Sequence, residues 1–133
     1  MSIGQDTLIA ILNNENFVES VSVIPAANPQ LESDRVTLNA RIARQQPSPV
    51  QRDKEGSFID YTAEIKILAT VHATHGGMVA PAIGDKWKIA KARGGTAVDG
   101  WKLTSIQPGD GKWILTVTLR DYLEKGGRRQ GVA

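Results

Sequence analysis

His72 and His75 lie three residues apart beside Gly76-Gly77, and paired imidazoles are the first place to look for metal chemistry. A metal site wants at least one further ligand at a defined spacing. Here the segment reads as a strand running into a glycine loop, where residues three apart need not face together, so a solvated loop is expected and no metal. Asp60 and Glu64 share one face of an alternating stretch. Thr62 stands between them, so the pair reads as a wet strand face and not as a general acid and base. The chain has no cysteine, which removes thiol nucleophiles, disulfides and thiolate metal sites. It contains no G-x-S-x-G, phosphate-loop or dinucleotide fingerprint. The glycine-rich stretch 94–100, GGTAVDG, joins two strands and lacks the helix that a phosphate-binding loop needs. The expectation is a protein that is not an enzyme and uses no cofactor.

Trp87, Trp101 and Trp113 each have lysine beside them: Lys86, Lys88, Lys102 and Lys112. Aromatics flanked by cations suggest base stacking on a small barrel. In each segment, however, the Trp is in phase with the aliphatic residues and the Lys with the polar ones, so the two point to opposite faces. Three core tryptophans are expected.

The elements that would position these residues are mostly strands. GDKWKIA, DGWKLTS and GKWILTV alternate, and ARGGTAVDG and QPGDG connect them with turn residues, which predicts an antiparallel meander over 84–120. Alternation also predicts strands near 17–24, 34–44 and 58–73. The last would run roughly 50 Å at about 3.3 Å per residue, so it should project beyond the core or contain a bulge. Ser2 and Gln5 spell a capping box ahead of a helical stripe that predicts a short helix over about 3–13. One wet face per strand favours closure. The expected fold is mainly β: a single domain over 1–133, a small antiparallel β-barrel or sandwich with a short N-terminal helix and one long protruding loop.

That loop, 45–57, contains QQPSPVQRDKEG between the two longest strands, where a hairpin needs only two to five residues. Pro47 and Pro49 stiffen it and the remainder is polar. Its position at the tip of long strands makes it an arm that contacts a neighbouring subunit or lines a shared channel, with Gln45, Gln46, Pro47, Pro49, Gln51, Arg52 and Lys54 as contact residues. The C-terminal segment 125–133, KGGRRQGVA, reads as a flexible tail. Its Lys125, Arg128 and Arg129 suit contact with an acidic neighbour or DNA phosphates.

Hydrophobic residues make up 41% of the 133-residue chain and charged residues 23%, an ordinary globular composition. No apolar run approaches the roughly 20 residues of a membrane span, and the N-terminus lacks signal-peptide order, so a soluble intracellular protein is expected. The net charge of +2 is unevenly distributed: all sixteen Lys and Arg follow residue 34. Residues 1–34 hold Asp6, Glu15, Glu19, Glu32 and Asp34. An acidic side and a basic side would suit docking of subunits.

Gly84-Asp85 before Trp87 and Ile89, the second aromatic strand at Trp101, and Ile106-Gln107-Pro108-Gly109-Asp110-Gly111 before a final strand make the chain resemble the head–tail joining proteins of tailed bacteriophages, the head-completion or stopper proteins of the neck. The resemblance implies a β-barrel that forms a homo-oligomeric ring in the virion. The portal or adaptor would lie above it, tail proteins below it, and the long loop would be directed into the DNA channel. It implies no membrane, no small-molecule substrate and no catalytic residues. The alternative is a small-barrel module that binds nucleic acid.

Overall fold

The computed structural model describes residues 3–123. Helix α1 (Ile3–Leu12) is followed by β1 (Val18–Ile24), β2 (Val36–Arg44), β3 (Gln51–Asp53), β4 (Gly56–Leu68), β5 (Lys86–Ala90), β6 (Ala97–Pro108) and β7 (Lys112–Tyr122). Six strands close a barrel in the order β2-β1-β5-β6-β7-β4, with β4 returning to β2, and β3 adds to the outside of β4. Every pairing is antiparallel. The architecture is therefore a closed barrel and not a sandwich. Among the described residues no helix is long and apolar enough to cross a membrane.

Alternation dictates the interior. Val21, Val23, Leu38, Ala40, Ala63, Ile65, Ile67, Ile89, Leu103, Leu115 and Val117 fill it, with Trp87 and Trp101 directly opposite each other on β5 and β6. The lysines next to those tryptophans face out, as the phase requires. Trp101 Nε1 donates to Ile89 O at 2.9 Å, and Trp113, only partly buried, donates from Nε1 to Met78 O at 2.9 Å. Trp87 Nε1 is buried with no hydrogen-bond acceptor in reach. None of the three is a stacking platform on an exposed face.

Helix α1 covers the outer side of β2 and β4. Leu8 and Leu12 bury themselves on Leu68, which lies on the outward phase of β4, and each such burial contributes roughly 1.5–3 kcal/mol. The expected strand over 58–73 is shorter at its C-terminal end, because the chain leaves the sheet after Leu68. Met78 N then donates to Leu68 O, and His72 pairs with Gly76 across a tight turn. Gly77 makes that return possible: a Cβ there would sit 2.2 Å from Thr70 O and 2.7 Å from Leu68 O. The expected excursion beyond the core occurs at the other end of the strand. β4 and β7 remain paired from Leu68↔Lys112 to Phe58↔Tyr122, while β2 pairs with β4 only from Arg41↔Lys66 to Arg44↔Ala63.

The contrast between the two buried tryptophans is measurable. Both Trp87→Phe and Trp101→Phe lose apolar volume, but only the second breaks a hydrogen bond. Trp101→Phe should cost more stability than Trp87→Phe by about 1 kcal/mol in urea denaturation. Equal costs would show that the indole–carbonyl bond adds nothing.

Candidate functional site: a projecting arm and its base

β4 has seven residues, Gly56 to Thr62, beyond the last pair with β2. At about 3.3 Å per residue they carry a ribbon roughly 20 Å past the barrel. The excursion at 45–57 is the third strand of that ribbon, folded back along β4 instead of hanging free. Gln45 N donates to Thr62 O at 2.9 Å and Ser48 N to Asp60 O at 3.0 Å. Pro47 and Pro49 have no N–H to donate, and Ser48 between them ties the segment to β4 as an acceptor: its Oγ accepts from Asp60 N at 2.9 Å and from Gln51 Nε2 at 3.1 Å. Ladder pairing then resumes as Gln51↔Phe58, Arg52↔Ser57 and Asp53↔Gly56. Asp53 Oδ1 accepts from Glu55 N at 2.7 Å, an Asx turn, and Gly56 closes it at φ 127°.

One side-chain cluster fastens the three strands. Arg120 grips Asp60 with two bonds, Nε to Oδ1 at 2.9 Å and Nη2 to Oδ2 at 3.1 Å. The same guanidinium lies 3.8 Å from the centroid of the Phe58 ring. Phe58 meets Tyr122 edge to face at 5.6 Å, and Tyr122 OH donates to Asp53 Oδ2 at 2.8 Å. These contacts join β7, β4 and β3. The hydroxyl bond holds the Asp53 carboxyl below the usual carboxylate range and raises Tyr122; the Asp60 bond raises Arg120. Asp60 is thus committed to Arg120, and Glu64, opposite Thr116, is not its acid–base partner.

At the base of the arm a cavity of about 420 Å³ is lined by Gln45, Gln46, Pro47, Tyr61, Lys91 and Arg93, among others. Lys91 donates to Asp121 Oδ2 and sits 5.2 Å from the Tyr61 ring centroid, and the Asp121 bond raises its pKa. Arg44 pairs with Glu19 through two bonds at 2.8 and 2.7 Å and also donates to Ala90 O. Arg93 reaches the carbonyls of Glu15 and Val18. The expected contact residues therefore fall into two groups. Gln45, Gln46 and Pro47 stand at the barrel mouth, while Gln51, Arg52 and Lys54 stand toward the tip, with Pro49 between. Lys125, Arg128 and Arg129 lie outside the described residues. Sequence reasoning did not find Phe58, Arg120, Tyr122 or Asp53 as a unit; the only signal was that Arg120 and Tyr122 share a phase at the end of the last strand.

His72 and His75 do come together, with rings stacked at 5.1 Å, but His75 is buried and structural. Its Nε2 lies 2.8 Å from Asn13 Oδ1 and its Nδ1 lies 3.0 Å from Asn39 Nδ2, so a neutral ring with the proton on Nε2 satisfies both. His72 Nδ1 accepts from the backbone of Thr74 and His75. Among the described residues no group of three or more His, Cys, Asp or Glu is placed to hold a metal ion. No protein-family model matches the chain, and comparison with curated proteins and with solved structures finds no match either.

Two outcomes are expected. Arg120→Met removes the Asp60 bonds and the ion pair that Arg120 Nη1 makes with Asp53 Oδ2 at 3.5 Å, and should unfasten β3, so that trypsin nicks after Arg52 or Lys54 on the order of ten times faster while the barrel stays intact, as read by mass spectrometry. An unchanged nicking rate would show that backbone pairing alone holds the arm. Burial, and secondarily His72, lowers the His75 pKa. The unfolded chain therefore takes the proton first, near the ordinary histidine value of about 6.5. Stability from this group is complete above that pH and falls as pH drops from it toward the folded value. Denaturation midpoints measured across that window should fall for the parent chain and fall less for His75→Gln.

Proposed function

We propose that this chain is a structural protein of the neck of a tailed-bacteriophage virion. It would form a homo-oligomeric ring between the portal or adaptor above and the tail below, with its arms directed into the channel through which DNA passes. The observation that supports this reading best is the arm. A closed barrel gives a rigid body with its sheet edges used up, and β3, β4 and β7 extend it on one side only. A ring of such bodies converges its arms on an axis with no change in the barrels. The arm is preformed, so its mechanism is geometric and needs little ordering on assembly.

The two ends of the barrel differ in a way that suits stacking between other rings. The arm end is rich in paired charge: Arg44 with Glu19, Lys91 with Asp121, and Arg120 with Asp60. The loops at the opposite end, 25–35 and 69–85, carry exposed Leu31, Val71, Val79 and Ile83. Phe17, Val50 and Leu123 are exposed toward the arm end, so apolar exposure is greater at the far end without being confined to it; a cluster of it is the usual mark of a surface that meets another protein.

The direct test is solution mass by light scattering over a wide concentration range, with and without single-stranded DNA. The neck reading expects self-association into one closed species, retained when residues 46–61 are replaced by a two-residue turn between Gln45 and Thr62, because that change removes β3 and the projecting part of β4 and not the barrel faces. A chain that remains monomeric until DNA is added, with mass then following DNA length, would replace this reading with a nucleic-acid-binding module.

A further inference from the structure

Lys86 and Lys102 are directly opposite in the β5–β6 ladder, and both are exposed on its outward face. Among the described residues neither has a carboxylate bonded to it, whereas Arg44 is held by Glu19, Lys91 by Asp121 and Arg120 by Asp60. Two like charges facing each other across a ladder oppose sheet formation, so the fold bears a cost at this pair. Lys88 follows on the same face of β5, within electrostatic reach of Glu32.

Beside the pair the surface is hollow. A cavity of about 420 Å³ is lined by Ile24, Arg35, Gly84, Lys86, Gly100 and Lys102, among others. Ile24 is the register partner of Lys86 and shares its outward phase. Its side chain and the aliphatic stems of the lysines make that part of the wall apolar. Gly84 and Gly100 put no side chain into the space. Across from the lysines, Arg35 is bonded to both Glu32 and Asp99, and these two carboxylates also line the cavity. One wall therefore offers ammonium donors and the other carboxylate acceptors, around a volume within the range of about 300–1,000 Å³ that bound small groups occupy.

Each feature matches a different part of one nucleotide. Unanswered lysines suit phosphate oxygens. The apolar wall suits the faces of a base, and carboxylates accept from exocyclic amino groups, as Asp and Glu do from cytosine N4. A bare anion would leave the apolar wall unused, and an apolar ligand would leave the lysines unanswered. Bases in a duplex are stacked and paired, so a base enters such a cavity only from an unpaired strand.

We infer that this cavity seats one nucleotide of a single-stranded nucleic acid, with phosphates on Lys86 and Lys102 and the base over Ile24. The seat is on the body of the barrel and needs no ring: mass without nucleic acid decides the ring, and strand binding decides the seat.

The test is the fluorescence anisotropy of a labelled single-stranded oligonucleotide titrated with the full chain over a range of salt. The parent should bind, more weakly as salt rises. K86Q/K102Q changes two exposed side chains, and circular dichroism checks its fold. It should bind at least about tenfold more weakly at about 50 mM salt, and its salt slope should be shallower by about 1.4, two phosphate contacts at about 0.7 each. An abasic strand of the same length has the same charge and no bases, and should bind the parent on the order of tenfold more weakly than the normal strand. R128Q/R129Q, which removes two arginines at the C-terminus, should retain most of the binding. A parent that binds no strand, a K86Q/K102Q that matches the parent, or an R128Q/R129Q that loses all binding would overturn the seat. Equal binding of the abasic strand would overturn the base in the cavity, and a free nucleoside monophosphate that binds as tightly as the strand would overturn the strand as occupant.

Discussion

The barrel closes through a short seam. β2 meets β4 over four residue pairs, Arg41↔Lys66 to Arg44↔Ala63, whereas β4 and β7 pair without interruption from Phe58↔Tyr122 to Leu68↔Lys112. Two long strands and one short partner cannot end at the same level, so the surplus of β4 and β7 must leave the barrel together. That surplus would present an unpaired edge of β4 to solvent, an invitation to aggregation. Residues 45–53 fold back to cover it, and the prolines that keep this segment from forming a full ladder also deter a further strand from adding outside. The arm thus follows from unequal strand lengths, and the Arg120–Asp60–Phe58–Tyr122–Asp53 cluster gives it a small core of its own.

Charge is arranged by the same topology. In the linear chain the acids come first and the bases later. Folding brings Glu19 against Arg44 and Arg93, and Glu32 against Arg35. The Glu19–Arg44 pair is nearly buried, and it succeeds because Arg44 also donates to the Ala90 carbonyl and Arg93 also reaches Glu19. Satisfied hydrogen bonds of this kind offset the desolvation that an isolated buried pair incurs. Part of the asymmetry in the sequence is therefore neutralised within the subunit. What remains is local, foremost the lysines facing each other on β5 and β6.

Much of the barrel was readable from residue alternation. Trp87, Trp101 and their lysines were separable into inside and outside by phase alone, because a strand reverses face at every residue. The short helix and the meander over 84–120 followed from spacing and turn chemistry, and the seams β2–β4 and β1–β5 did not. Closure depends on long-range pairing, and a local pattern carries no register across forty residues. The arm was half legible. Its existence followed from excess length, but β3 at Gln51–Asp53 is too short to show as alternation, and the bond from Asp60 N to Ser48 Oγ leaves no trace in the local pattern. Arg120 and Asp60 are sixty residues apart, and only the β4–β7 register makes them neighbours. His72 and His75 illustrate the reverse case: spacing alone suggested chemistry, and burial between Asn13 and Asn39 gives His75 a packing role.

The central claim is that the arm is a preformed extension of the barrel in the single subunit. Amide hydrogen exchange on the isolated chain at low concentration tests it most directly. The account predicts slow exchange at Gln45, Ser48 and Asp60, whose N–H groups bond within the arm, at rates nearer those of Ile65 and Val117 than those of an open loop. Exchange at Gln45, Ser48 and Asp60 as fast as in an unstructured peptide, with the barrel still protected, would contradict it.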